Sequence, residues 1–334
     1  MRILFFTAET EDYLSDSLLH GLRSILGEQV VDYPKADRMY TTYGAKPRTR
    51  LYGNGFTLYG LLEDLPVDRS EIPEKLRHDF FDLVIFGSIW RTWERLKDFQ
   101  KLLRRDQTIF VDGEDVENIF PYSTWSLRDL RRCFVPSGRR CVYFKRELTR
   151  RSLRSVWFFL PPRALAAGLS FPKNVKSTSF SIPEEKIVSF SSAKTQWFPQ
   201  HIVDSQVTER FRRGQAQYPF ATEAEYYADL QRSLFGITTR RSGWDCMRHY
   251  EIAANGAVLC FRGLDSKERT CAPHGLDSDN CISYADVDDL MRKIERLSRA
   301  RYQELRERGI AWARKNTTVV RANELLSAVA SRNA

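Results

Sequence analysis

Four short apolar runs constrain this chain more than any other feature, at residues 3–6, 83–87, 108–111 and 257–261. Each is long enough for a strand buried on both faces and too short for a buried helix. Between them lie stretches with apolar residues at helical spacing, such as 14–26 and 90–103. Strand and helix signals in alternation are the pattern of a doubly wound α/β fold with a mostly parallel sheet. Further strands are predicted at 29–33, 141–144 and 156–160. The Gly-bearing stretch 40–60 lacks clear periodicity and reads as a long loop or lid.

After Pro161-Pro162 and a mixed stretch reaching Pro183, a second alternation begins. It predicts strands at 187–190, 235–238, 257–261 and 281–284, with helices within 201–213, over 223–232 and over 286–309. The tail 317–329 has apolar residues at roughly helical spacing. A chain of 334 residues exceeds the size at which single cores stop growing. The expectation is α/β, with two doubly wound Rossmann-like domains facing a cleft: 1–175, 176–315, and a C-terminal helix over 316–334. Ligands bind such sheets at the carboxyl ends of the strands.

The segment Arg241-Ser242-Gly243-Trp244-Asp245-Cys246-Met247-Arg248-His249-Tyr250-Glu251 carries the chemistry. Ser242 and Asp245 have the form of a capping box, which predicts a helix from Gly243 or Trp244. Asn255-Gly256 ends it. A helix N-terminus beside Arg240 and Arg241 favours a bound phosphate. Arg248 and Glu251 are three residues apart and share a helix face. A cation for a diphosphate and a carboxylate for a ribose diol are what a nucleotide site requires. His249, beside Glu251, is a candidate pyrophosphate contact, and Gly243 and Asp245 complete the donor-side set. The alternative for the same residues is an ordinary capped helix with solvated charges.

Residues 226–261 (YYADLQRSLFGITTRRSGWDCMRHYEIAANGAVLCF) resemble the donor-binding half of GT-B glycosyltransferases of the group 1, spore-maturation and exostosin types. The resemblance extends over roughly residues 180–330. Arg248 and Glu251 fall on the family's Arg and Glu, and Asn255-Gly256 on its small-Gly turn. By this resemblance Glu251 grips the nucleotide ribose, and Lys194 matches a basic residue for the donor phosphates in the first loop of the second domain. The last helix of such proteins often crosses back to the first domain. Retaining members often carry a second Glu eight positions earlier, where this chain has Gly243, so inversion and retention both stay open. The resemblance implies a glycosyltransferase that takes a nucleotide-diphosphate sugar and needs no metal or other cofactor. The implied acceptor is a saccharide, lipid-linked glycan or protein. A non-catalytic scaffold and a sugar-nucleotide epimerase are alternatives.

Within the first half, Asp112-Gly113-Glu114-Asp115 follows a predicted strand, which puts carboxylates at a carboxyl-end loop. Asp112 and Glu114 are the candidate acceptor bases, with Glu9 after the first strand in second place. The alternative is a turn of solvated acids.

The formal net charge is +9, and residues 131–163 hold ten basic residues against one acid, Glu147. That segment (Arg131, Arg132, Arg139, Arg140, Lys145, Arg146, Arg150, Arg151, Arg154, Arg163) is a candidate surface for membrane headgroups, nucleic acid or another anionic partner. Trp157-Phe158-Phe159-Leu160 beside it reads either as a membrane contact or as a core strand. No run approaches the ~20 apolar residues of a membrane span. Six cysteines without a regular framework predict free thiols and a cytoplasmic protein, peripheral at a membrane if the basic segment binds one. Cys246-x-x-His249 and Cys271-x-x-His274 invite a zinc reading. Their spacing matches no recognised zinc pattern, so the expectation is no metal.

Overall fold

The computed structural model describes residues 1–45, 51–120, 136, 141–152, 173–189, 193–212 and 219–333. The first half opens with β1 (Ile3–Phe6), α1 (Tyr13–Leu26) and β2 (Val30–Tyr33). Next come α2 (Ile72–Arg77), β3 (Leu83–Phe86), α3 (Ile89–Phe99), β4 (Thr108–Asp112), β5 (Val142–Lys145) and β6 (Val175–Ser177). The six strands form one sheet in the order β2-β1-β3-β4-β5-β6, with every neighbour parallel. Sequence direction along the sheet reverses between β1 and β3, so the switch-point crevice opens at their carboxyl ends.

Successive side chains of a strand point to opposite faces, which splits the apolar runs between two cores. Ile3, Phe5, Ile85, Ile109 and Val111 pack with Leu14, Leu18 and Leu22 of α1. Leu4, Phe6, Val84, Phe86 and Phe110 pack with Ile72, Leu76, Ile89 and Leu96 of α2 and α3. Helix α1 begins where the Asp12 carboxylate accepts from the backbone N–H groups of Leu14 and Ser15, each at 3.1 Å.

The second half continues with α4 (Ser205–Phe211), α5 (Glu223–Arg232), β7 (Phe235–Thr239), α6 (Met247–Ala254), β8 (Val258–Arg262) and β9 (Cys281–Tyr284). It closes with α7 (Val287–Glu295), α8 (Arg299–Arg314) and α9 (Thr318–Asn333). Strands β7-β8-β9 form a parallel sheet in that order. Gly256, at φ +68°, turns the chain from α6 into β8, as the Asn255-Gly256 pair predicts.

Helix α9 crosses back onto α1. The His20 Nδ1 lies 2.9 Å from Thr318 Oγ1, and Ile182 and Thr318 are tied by a 3.0 Å backbone bond. Ala322 and Leu325 join the core beneath α1.

Several local expectations need correction: the helix expected over 286–309 is two, α7 and α8, and residues 175–177 of the connecting stretch form β6 at the edge of the first sheet. Residues 187–189 form no strand; the Val188 N–H is spent on the Ala254 carbonyl. The extended chain beside β7 is instead 195–197, through a parallel bridge between Gln196 and Ser233 and the bonds Leu234 N–H to Gln196 O and Phe235 N–H to Trp197 O. The donor-side helix starts at Met247 rather than at Gly243 or Trp244. The predicted strand at 156–160 lies outside the described residues.

Candidate functional site

The first strand-like segment of the second half ends at residue 197, so its carboxyl-end loop is 199–204. That loop carries His201, which the sequence reading missed because it placed the strand several residues too early. Helix α6 points its first turn at this loop, and Arg248 Nη2 donates to His201 Nε2 at 2.5 Å. After β7, Arg240 and Arg241 are both exposed. The Arg240 guanidinium lies over the Trp244 ring at 5.0 Å. Arg240, Arg241, Arg248 and the α6 N-terminus therefore share one edge of the sheet, where they favour an anion.

Lys194 is elsewhere. Its ammonium donates to the Gln231 carbonyl at 2.8 Å, near Arg306, which itself donates to Gly256 O ahead of β8. That is the amino edge of the sheet, opposite the arginines. Burial, with Arg306 adding repulsion, pushes the Lys194 pKa down to about 7.

Three expected donor contacts are held inside the protein. The His249 ring is fully buried, with Nδ1 3.0 Å from Thr238 Oγ1 and Nε2 2.9 Å from Trp244 O. It pins the 243–246 loop to β7 and is closed off from the surface. Asp245 accepts from Phe180 N–H at 2.7 Å and Tyr250 Oη at 3.0 Å, so it ties the loop to the core instead of capping a helix. Glu251 is buried, and its two oxygens accept from Thr57 Oγ1 at 2.5 Å and Tyr226 Oη at 2.7 Å. Burial raises the Glu251 pKa, while the two hydroxyls hold it down.

Thr57 comes from the 40–60 loop of the first half and sits at φ +73°. Its backbone N–H donates to Glu223 at 2.6 Å, and Asn54 donates to Phe220 O at 3.3 Å. The loop therefore reaches across the cleft and places a hydroxyl on the carboxylate expected to take a ribose. No local pattern marks Thr57 for this contact.

His249 and Asp245 have opposite pH signatures. Burial lowers the His249 pKa to about 3, so below pH 6.5 the unfolded chain takes a proton that the native state refuses, and stability falls with pH. Burial raises the Asp245 pKa to about 6, so that group favours the native state as pH falls from 7 to 5. At 1.36 kcal/mol per unit, the His249 contribution between pH 7 and pH 5 is a loss of about 2 kcal/mol. Urea unfolding at both pH values is expected to show that loss in the wild type relative to His249→Gln. Equal pH dependence in the two proteins would contradict a buried neutral imidazole.

On the opposing sheet, Asp112 at the end of β4 is fully buried. It pairs with Lys145 at 2.8 Å and accepts from Tyr143 Oη at 2.5 Å. Both Asp112 oxygens are taken by residues of the adjacent strand in its own sheet, with no partner from across the cleft, among the described residues, for a ligand to displace, which corrects its selection as a base. Glu114 pairs with Arg91 at 3.0 Å. The Glu9 side chain is 86% exposed and only 4.0 Å from Arg95, out on the rim.

Arg146 and Glu147, at the end of β5, face the second half. Glu147 Oε1 accepts from Trp244 N–H at 2.9 Å and Asp245 N–H at 3.2 Å, and Arg146 donates to Asp245 O at 2.9 Å. Those contacts satisfy the backbone groups that a helix starting at Gly243 would have used. Lys145 and Arg146 are thus internal ion-pairing groups, not members of a surface patch, while Arg150 and Arg151 are exposed. Arg131, Arg132, Arg139, Arg140, Arg154 and Arg163 lie outside the described residues. Glu147 did carry a sequence signal, as the one acid among ten bases. Among the described residues, no group of three or more His, Cys, Asp or Glu stands in metal-binding geometry. None of the described helices is long and apolar enough to cross a membrane.

Two parallel sheets with opposed carboxyl edges and a final helix returning to the first half make a GT-B fold. The comparison with solved structures agrees over the whole chain. HepE from Anabaena in complex with UDP matches with a TM-score of 0.56 at 8% identity, covering 99% of this chain and 100% of that one. An alpha-glucosyltransferase in complex with UDP and DNA matches at 0.54 and 12% identity, covering 99% of each chain. A glycosyltransferase from Rickettsia africae matches at 0.53 and 10% identity, covering 99% of this chain and 98% of that one. No family model and no curated protein matches the sequence.

Proposed function

We propose that this protein transfers a sugar from a nucleotide-diphosphate donor to a hydroxyl acceptor, with no metal or other cofactor. The observation that carries the reading is the convergence of Arg240, Arg241, Arg248 and the α6 N-terminus on one cleft edge, opposite the carboxylate-bearing loop 112–115. Fixed positive groups at that edge stabilise the diphosphate most as its charge develops on leaving. The structures of similar fold that hold UDP or UDP-glucose support the same reading. Residues 1–175 then form the acceptor-side domain, and 176–315 the donor-binding domain. The acceptor is a glycan or another hydroxyl compound.

In this reading Glu251 takes the ribose diol, and the nucleotide displaces the Thr57 hydroxyl that Glu251 now binds. A thermal-shift panel with UDP, GDP, ADP, CMP and dTDP at millimolar concentration tests it. A ligand at about 100 times its dissociation constant adds roughly 2.7 kcal/mol of native-state stability. One nucleotide is expected to raise the melting temperature, Glu251→Ala to abolish the rise, and Thr57→Val to enlarge it at subsaturating ligand. A flat response to every nucleotide would remove the donor-site assignment.

A further inference from the structure

We infer that Asp115 is the carboxylate that reads the sugar of the donor, presented from the first half across the cleft and positioned by the buried Arg146–Glu147 pair. The inference rests on the transferase reading above and names a residue which that reading leaves open. Four acids stand at the ends of β4 and β5; two are sealed, and of the two that reach the surface Asp115 is the more exposed, 47% against 31% for Glu114. Asp112 is sealed with Lys145 and Tyr143. Glu114 is held by Arg91, which continues to Thr10 and the Glu11 carbonyl at the β1 end. Glu147 is 2% exposed; its Oε1 takes two backbone N–H groups and Arg146, and its Oε2 takes the Cys271 thiol at 3.1 Å.

Asp115 is different. Its side chain is 47% exposed, while one oxygen is anchored by Arg146. Arg146 itself is 1% exposed and donates to Gly113 O, Asp245 O, Glu147 and Asp115, so its guanidinium is a rigid bracket spanning both halves. Such a bracket holds a surface carboxylate in one place without the entropy loss that a free side chain would suffer on binding.

Gly243 shows where that place is. A Cβ there would lie 2.6 Å from Asp115 Oδ1 and 2.6 Å from Glu147 Oε1. The loop entering α6 therefore has no side chain at the point where the first half inserts two carboxylates. Arg240 and Arg241 precede this point in the chain and the α6 N-terminus follows it, so Asp115 borders the loop to which the transferase reading assigns the diphosphate; Arg146 holds its Oδ1, which leaves Oδ2 for a sugar hydroxyl. A half-exposed carboxylate accepts hydrogen bonds from sugar hydroxyls, and a bond to a charged group is worth more than one to a neutral group.

Titration calorimetry with UDP and UDP-glucose tests this, followed by ADP and GDP with their glucose conjugates if the uridine pair is silent. Wild type is expected to bind the nucleotide sugar more tightly than the nucleoside diphosphate. Asp115→Asn keeps an oxygen for Arg146, and Asp115→Ala removes it. Both are expected to weaken the sugar conjugate about 10–100-fold and to leave the nucleoside diphosphate within about twofold. An unchanged preference for the sugar conjugate overturns the inference. So does equal weakening of both ligands, which would mark Asp115 as a support for the arginines alone. If wild type binds none of these ligands, the transferase reading falls and the inference falls with it.

Discussion

Lys145→Met is expected to destabilise the protein by about 3–5 kcal/mol, because it strands a charge in the core. Lys145 and Asp112 are both fully buried, 2.8 Å apart, at the carboxyl ends of adjacent strands. The Lys145 ammonium also donates to Glu114 O at 3.2 Å. Taking two ions out of water is costly, and their attraction roughly offsets that cost, so the pair adds little net stability. Removing one partner leaves the cost without the attraction. The double variant Lys145→Met/Asp112→Leu should therefore recover most of the loss. Chemical denaturation of the three proteins measures the coupling. A double variant as unstable as the single one would show that the charges are not what matters there.

Gly21→Ala is expected to destabilise by about 2–3 kcal/mol, against the usual direction for a helix. Ala normally gains roughly 1 kcal/mol over Gly in a helix interior. Here the added Cβ would lie 2.0 Å from the Thr318 carbonyl oxygen, which is backbone and cannot rotate away. Overpacking of this kind costs about 1–3 kcal/mol or more, so the clash outweighs the propensity. The readout is the denaturation midpoint together with proteolysis of the C-terminal helix, which the clash should lift from α1. A stabilised variant would mean that the two helices do not cross at Gly21.

Much of this fold was legible because it is written locally. The runs 3–6, 83–87 and 108–111 became β1, β3 and β4, and 14–26 became α1. Asn255-Gly256 marked a turn whose φ needs glycine. The 187–190 run misled, since an apolar stretch looks the same whether it enters a sheet or packs beside one. The Ser242–Asp245 capping box misled for another reason: Glu147 supplies from outside the acceptor that a helical turn would otherwise need.

The candidate site was legible only in part. The sequence singled out the arginines around α6, because a helix N-terminus with adjacent cations is a local pattern. The partners of that helix were not. His201 is 47 positions from Arg248, Thr57 is 194 from Glu251, and Glu147 is 97 from Trp244. Asp112 looked available because its loop did, until Lys145 from the next strand closed over it.

By itself, then, the sequence determined the alternation of strands and helices in most of the chain, the two-sided burial of the central strands, and the cationic start of α6. Each follows from the periodicity and identity of neighbouring residues. Only the tertiary structure decided which carboxylates face the cleft, which are sealed, and which side chains meet across it. Those outcomes depend on how two separately patterned sheets are set against one another, and no local period encodes that.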